Sequence, residues 1–265
     1  MQNSNNLSSF DKTELLEGFE LAWQKLMERA NAIPQNNKTA FVLGGQPGSG
    51  KSSSAEKIKQ EFLGGNCIFI SGDDFRKYHP KYKEINEQFH SQMHEYTSEF
   101  ASKMTELSIR RAAERNYNII IEGTFRTTKA PLYTLEQLKQ NGYKTGVAIV
   151  ACPKDLSWLS AIERYKKERE TGGDGRVVSK EAHDYVVSVL GDNAQSVYNQ
   201  KNVYDAFVVY KRDNKGVSLI YNNKTDKEFN KKIIENVLND KSISKELAVK
   251  NQKSVNLNFS KGLDR

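Results

Sequence analysis

Apolar residues along this chain fall into short runs separated by longer amphipathic stretches. Five runs, at 39–43, 67–70, 118–121, 147–151 and 206–210, are four or five residues long and bounded by turn residues, the pattern of buried strands. A sixth, at 216–221, reads as an edge strand. Between the runs the apolar period lengthens to three and four. Over 11–30, Leu15, Phe19, Ala22, Trp23, Leu26 and Met27 form one helical stripe, with Ser9 or Asp11 as its cap. Over 87–115, Phe89, Met93, Tyr96, Phe100, Met104 and Leu107 predict one long helix with a core-facing stripe. Further helices are expected over 53–62, 132–140, 155–170, 179–198 and 227–238. Asn141-Gly142 stops the second of these, Ser179 caps the fourth, and Gly191 is a point where the fourth is open to interruption. Strands alternating with helices predict an α/β fold, a mainly parallel sheet with helices on both faces. Ligands in such sheets bind beyond the carboxyl ends of the strands.

Composition narrows this picture. With 265 residues, 28% of them charged and 37% apolar, the chain is long enough for one large domain with extensions. The expected division is an N-terminal helical extension at 1–37, a core at 38–222, and a C-terminal helix with a basic, loosely held tail at 223–265. No apolar run is long enough to span a bilayer, and the N-terminus lacks the basic-then-apolar order of a signal peptide. Cys67 and Cys152 sit in or beside strand-like runs and read as reduced core residues of a cytoplasmic protein, with a disulfide as the alternative. The net charge of +7 comes without an aromatic-interleaved basic helix or a nucleic-acid motif. It reads as a solvated basic surface plus an anion site.

That anion site is explicit. Gly45-Gln46-Pro47-Gly48-Ser49-Gly50-Lys51-Ser52, followed by Ser53, fits the phosphate-binding loop, and it lies between an expected strand and an expected helix as that motif requires. Its glycines let backbone N–H groups converge on a phosphate chain, and the helix adds a positive dipole end. Lys51 is placed to reach the β- and γ-phosphates of a nucleoside triphosphate, and the Ser52 hydroxyl to ligate Mg²⁺.

Other candidates follow the strands. Asp73 and Asp74 are each open to three roles: proton acceptor for a substrate hydroxyl, magnesium support through water, or helix cap. If they lie on a strand leaving the sheet, neighbouring side chains diverge and only one faces the substrate. Glu122 either binds a second substrate or caps the chain near Thr124. Arg176 follows the loop Thr171-Gly172-Gly173-Asp174-Gly175 and is a candidate lid residue for the γ-phosphate. Arg164 lies among Glu163, Lys166 and Lys167, which by default is a solvated face. Glu106 is off the apolar stripe of its helix and reads as exposed. His79 and His183 have no Cys or His partners at metal spacing and read as structural or exposed.

Taken together, these motifs resemble the zeta toxin family, the kinase halves of toxin–antitoxin pairs. The likeness rests on Leu43-Gly44-Gly45 through Ser52, Gly72-Asp73-Asp74-Phe75-Arg76 with His79-Pro80, and Lys103-Met104-Thr105-Glu106. It continues through Ile121-Glu122-Gly123-Thr124-Phe125-Arg126-Thr127-Thr128, Ile162-Glu163-Arg164-Tyr165 and Ala182-His183-Asp184, in the family's order over about residues 38 to 222. The resemblance implies a P-loop kinase that phosphorylates the 3′-hydroxyl of the sugar in UDP-N-acetylglucosamine or a related UDP-sugar with ATP or GTP and Mg²⁺, starving cell-wall synthesis. By the same resemblance Asp73 is the base, and Glu106, Glu122, Thr124 and Arg126, with Thr128 beside them, are sugar-nucleotide contacts. Arg164 and Arg176 are similar to its phosphate-clamping arginines. A small helical antitoxin that blocks the nucleotide site is the implied partner, with no role for nucleic acid or membrane. The pattern departs from the family at Ser71, where an aspartate is usual, and at Asp74, where a hydroxyl residue is usual. Two other readings stand beside this one: a P-loop kinase for a nucleoside, drug or other metabolite, and a nucleotide-switched binding protein or NTPase.

Overall fold

The computed structural model describes residues 7–171 and 178–242. Its strands are β1 Thr39–Gly45, β2 Ile68–Ser71, β3 Ile119–Glu122, β4 Lys144–Ala151, β5 Ala206–Asp213 and β6 Gly216–Asn222. They form one sheet in the order β2-β3-β1-β4-β5-β6, parallel except for β6, which returns antiparallel along β5 at the edge. Every expected strand is present. β4 and β5 run past their apolar segments because Lys144 and Lys211–Asp213 still pair with neighbouring strands.

The central strands are buried on both faces, which is why they read as unbroken apolar runs. Successive side chains go to opposite cores. Ala40 and Val42 join one cluster with Ile121 and Ile149, whereas Phe41 and Leu43 join another with Ile120 and Val150. Helices cover both faces, as expected. They are α1 Lys12–Ala30, α2 Lys51–Phe62, α3 Tyr82–Phe89, α4 Met93–Tyr96, α5 Ser98–Glu114, α6 Lys129–Gln140, α7 Lys154–Glu170, α8 Lys180–Tyr198 and α9 Lys232–Leu238. Ala55 and Ile58 of α2 close the second core, and α1, α5, α6, α8 and α9 close the first.

Local signals explain the starts of two helices. Asp11, not Ser9, caps α1: its carboxylate accepts from the Glu14 N–H, and Glu14 accepts from the Asp11 N–H. Ser179 caps α8. That helix runs through Gly191 unbroken, and Glu235 of α9 packs where a side chain at Gly191 would stand. The single helix expected over 87–115 is corrected. A 3-10 turn at His90–Gln92, the short α4 and a break at Thr97 divide it. At the break Arg76 Nη1 donates to the His94 carbonyl, while the Met93 carbonyl keeps the Thr97 N–H and also accepts from Thr97 Oγ1. The apolar stripe is split with it. Phe89, Met93 and Tyr96 pack around Leu7 and Ile85, while Phe100 and Met104 enter the main core.

Both cysteines are buried and unbridged. Among the described residues no helix is long and apolar enough to cross a membrane.

Candidate active site

β1 ends directly in the phosphate loop, and Gly50 caps α2 from a left-handed conformation. Gly48 is also left-handed, at φ 73°, and a Cβ there would stand 2.0 Å from the Ser157 carbonyl oxygen, so the loop seats on the start of α7 only without a side chain. Lys51 opens α2 and is 9% exposed. Its Nζ donates to the carbonyls of Gly45 and Gln46 at 3.0 and 3.2 Å and lies 3.6 Å from Glu122 Oε1. Burial pulls the ammonium below its usual range; Glu122 and Asp73 oppose that shift, and Arg164 adds to it. These four groups therefore share one electrostatic environment. Ser52 and Ser53 are exposed on the first turn of α2.

The two aspartates do not lie on a strand. β2 ends at Ser71, and Gly72–Tyr78 form a 3-10 helix. Successive side chains there step by about a third of a turn, so the expected divergence is present for a different geometrical reason. Asp73 is 46% exposed and pairs with Arg76 Nε at 3.0 Å. Arg76 is itself fixed by the His94 carbonyl and Thr97 Oγ1 at 3.1 and 3.0 Å. Asp74 turns to α1 and takes Arg29 Nη1 at 3.1 Å. Phe75, buried, anchors the turn in the core.

β3 ends at Glu122, and the Gly123 N–H donates to the Leu43 carbonyl. Phe125 then takes a left-handed conformation, φ 56°, uncommon for an aromatic residue. Its ring lies on Gly44, where a Cβ would come within 2.2 Å of it, and its carbonyl accepts from Asn193 Nδ2 of α8. This forced turn leaves Thr124 and Arg126 exposed on either side of a buried ring. Both line a cleft of about 890 Å³ between α5 and α6, together with Glu106 and Glu122. Val42, Ile121, Phe125 and Leu138 give it an apolar floor, and Arg110 and Glu114 extend its charged wall. Glu106, exposed as its periodicity indicates, is thus a cleft residue. Thr128 precedes α6 and is not among the cleft-lining residues.

Arg164 is 38% exposed, 3.9 Å from Glu168, and still acts on Lys51. Arg176 lies outside the described residues. His79 is buried against Phe10 and Phe100. His183 is buried too, and its partner is Ser157 beneath the phosphate loop. Sequence reasoning missed Ser157 and also Arg212 of β5. Arg212 Nη1 donates to the Gly48 carbonyl at 2.6 Å and to Ser160 Oγ at 2.9 Å. No local signal marks either residue, because their partners lie more than a hundred positions away along the chain for Ser157 and Gln46, and for Arg212 and Gly48.

Comparison with known proteins agrees with this geometry. The zeta toxin family model matches residues 24–226. The chain is 32% identical over 243 residues to the zeta toxin of Streptococcus agalactiae, covering 91% of this chain and 83% of that protein. It is 34% identical over 186 residues to the PezT toxin of Streptococcus pneumoniae, covering 70% and 72%. Among solved structures it superposes on the PezAT chromosomal toxin–antitoxin system of Streptococcus pneumoniae with a TM-score of 0.79 at 27% identity, over 94% of this chain and 98% of that one. The AvrRxo1-ORF1:ORF2 complex shares the fold, with a TM-score of 0.51 at 14% identity over 91% and 73%. A matching family model over most of the chain, and relatives above 30% identity over most of their own length, decide the assignment: this chain belongs to the zeta toxin family of P-loop kinase-type toxins.

Proposed function

We propose that this protein transfers the γ-phosphate of ATP or GTP to the 3′-hydroxyl of the sugar in UDP-N-acetylglucosamine or a related UDP-sugar, and that the product blocks synthesis of cell-wall precursors. The observation that carries the reading is the junction of two features. Lys51 lies 3.6 Å from Glu122 at the carboxyl edge of the sheet, and the charges of Asp73 and Arg164 also act on its ammonium. Glu122 also lines the cleft with Glu106, Thr124 and Arg126. A cleft of about 890 Å³ matches the usual size of small-molecule sites. Its carboxylates suit sugar hydroxyls, and its arginines suit a diphosphate.

In this reading Asp73 accepts the proton of the sugar hydroxyl. The hydroxyl oxygen bonds to the γ-phosphorus, the bond to the β–γ bridging oxygen breaks, and the nucleoside diphosphate leaves with the bonding pair. Lys51 neutralises charge on the β- and γ-phosphates, and Arg164, with Arg176, on the transferred group. Mg²⁺ would be held largely by phosphate oxygens and water, with the Ser52 hydroxyl, exposed on the first turn of α2, as its protein ligand. When bound, it neutralises phosphate charge.

A helical antitoxin that covers the nucleotide site is the proposed partner; the PezAT relative is described as part of a toxin–antitoxin system. The activity is read as cytoplasmic, because the proposed nucleotide substrates are found there. The test is mass analysis after incubation with ATP and mixed UDP-sugars. One UDP-sugar is expected to gain a single phosphoryl group. ATP hydrolysis without any phosphorylated sugar nucleotide overturns the reading.

A further inference from the structure

Beneath the phosphate loop runs a buried chain of hydrogen bonds that the transfer chemistry does not use. Gln46, Ser157 and His183 are each fully buried. Gln46 Nε2 donates to the Cys152 carbonyl and, at 3.4 Å, to Ser157 Oγ. Ser157 Oγ lies 2.9 Å from His183 Nε2, and His183 Nδ1 lies 3.0 Å from Asp184 Oδ1. Asp184 is half-exposed and is held by Lys180 one turn back on α8.

The chemistry of these groups gives the chain a direction. The Cys152 carbonyl only accepts, so the Gln46 nitrogen must face it, and that nitrogen's second hydrogen serves Ser157. Asp184, ionised beside Lys180, accepts from His183 Nδ1–H, which leaves Nε2 as an acceptor for the Ser157 hydroxyl. The Lys154 carbonyl, 3.0 Å from Ser157 Oγ, is the alternative acceptor. Burial holds His183 in its neutral form, as this ordering needs; Asp184 opposes that shift, and Lys180 and Asp155 are the other charges that act on the ring.

The chain ends at the point on which the loop turns. The Gln46 carbonyl accepts from the Ser49 N–H at 3.1 Å and from Lys51 Nζ at 3.2 Å. Fixing the Gln46 side chain therefore fixes the carbonyl that steers the catalytic lysine. The same helix reaches the other half of the site, since Asn193 of α8 holds the Phe125 carbonyl.

We propose that Gln46, Ser157, His183 and Asp184 form a positioning relay that sets the nucleotide-accepting shape of the phosphate loop and ties it to α8, the helix that follows the glycine-rich segment. The proposal rests on the reading of the loop as a nucleotide site. It does not rest on the identity of the sugar nucleotide. In this relay His183 acts through Ser157 and touches no reacting atom.

The test compares Ser157→Ala, His183→Leu and His183→Gln in the full chain. The readouts are dissociation constants for a fluorescent ATP analogue with Mg²⁺, and unfolding midpoints without nucleotide. Ser157→Ala and His183→Leu are expected to weaken nucleotide binding about tenfold at temperatures where both are folded. In His183→Gln the amide oxygen replaces Nε2 as acceptor, so affinity is expected to return to within about threefold of the native value. A lowered midpoint with unchanged affinity in Ser157→Ala overturns the relay, and so does a His183→Gln variant as weak as His183→Leu. If His183→Leu does not fold, Ser157→Ala and His183→Gln decide alone. Nucleotide binding by the native chain separates the two readings. Native binding with unaffected variants sinks the relay only, whereas binding without any phosphorylated UDP-sugar sinks the substrate and leaves the relay standing.

Discussion

The neighbouring carboxylates Asp73 and Asp74 make the sharpest test of the proposed chemistry, because one turn of backbone gives them opposite surroundings. Asp73 faces Arg76 at the edge of the site, whereas Asp74 is tied to Arg29 of α1. Asp73→Asn keeps size and shape but cannot take a proton at neutral pH. General-base assistance is worth about 10²- to 10⁴-fold, so the barrier rises by about 3 to 5 kcal/mol. Asp74→Asn removes one ion pair whose partners are 56% and 32% exposed. Such a pair contributes about 0.2 to 1 kcal/mol to stability. Even if all of that reached the transition state, the rate would change by about fivefold at most. The two variants should thus differ by at least about twentyfold in the initial rate of UDP-sugar phosphorylation at saturating nucleotide and Mg²⁺, with nucleotide affinity retained in both. A dead Asp74→Asn beside an active Asp73→Asn refutes the argument. Weak nucleotide binding by both would recast the pair as magnesium support, and Glu122, 3.6 Å from Lys51, would be the next base to test.

Lys51→Ala is expected to abolish most transfer while circular dichroism shows the fold intact; near-native rates would remove the phosphate-loop assignment. Gly48→Ala places a methyl against the Ser157 carbonyl in a left-handed backbone, so nucleotide affinity should fall by more than about tenfold, and a normal dissociation constant would contradict the loop geometry. Burial holds both His79 and His183 below the ordinary histidine value of 6.5, so each favours the fold fully above that value and loses its contribution as pH falls through it. The unfolding midpoint should therefore drop on going from neutral pH toward 5, and less steeply once both histidines are glutamine; equal slopes would contradict the assignment.

What the sequence made legible follows from where the information is stored. The parallel strands and the phosphate loop are written locally, as apolar runs that end in glycine or carboxylate. Their shared edge follows from the topology: β1, β2 and β3 are parallel neighbours, so the phosphate loop, the Asp73-Asp74 turn and Glu122 follow strand ends on one side of the sheet. The long helix expected over 87–115 failed because its stripe continues through the breaks. Arg76, eighteen positions upstream of His94, satisfies a freed carbonyl there, and no periodicity reports a donor from another element. Glu106 was legible as exposed but not as a cleft residue, since the opposite wall comes from α6. His183 reads from the sequence as structural or exposed; it is buried, and its partner could not be read because Ser157 lies 26 positions away, and Gln46 beyond it.

The same distinction explains why the N-terminal helix matters to a site it does not line. The turn Gly72–Tyr78 is a 3-10 helix, an element whose hydrogen bonds are poorer than those of an α-helix and which is seldom this long. Left to itself it would hold Asp73 loosely, and a base displaced by about 1 Å can lose about a hundredfold in rate. The turn is instead held from several directions. Phe75 is buried in the core, Arg76 is fixed by the His94 carbonyl and Thr97 Oγ1, and Asp74 is held by Arg29. The Tyr78 carbonyl lies against Gly18 of α1, where a Cβ would come within 3.0 Å. Arg111 of α5 then locks α1 down, pairing with Glu20 and stacking over Phe19 at 4.2 Å. Two of the supports therefore come from a helix whose residues fall largely outside the motifs. Asp74 joins α1 to the turn through Arg29, so its place beside the base is explained as one of several modest supports of the turn rather than as a share in its chemistry.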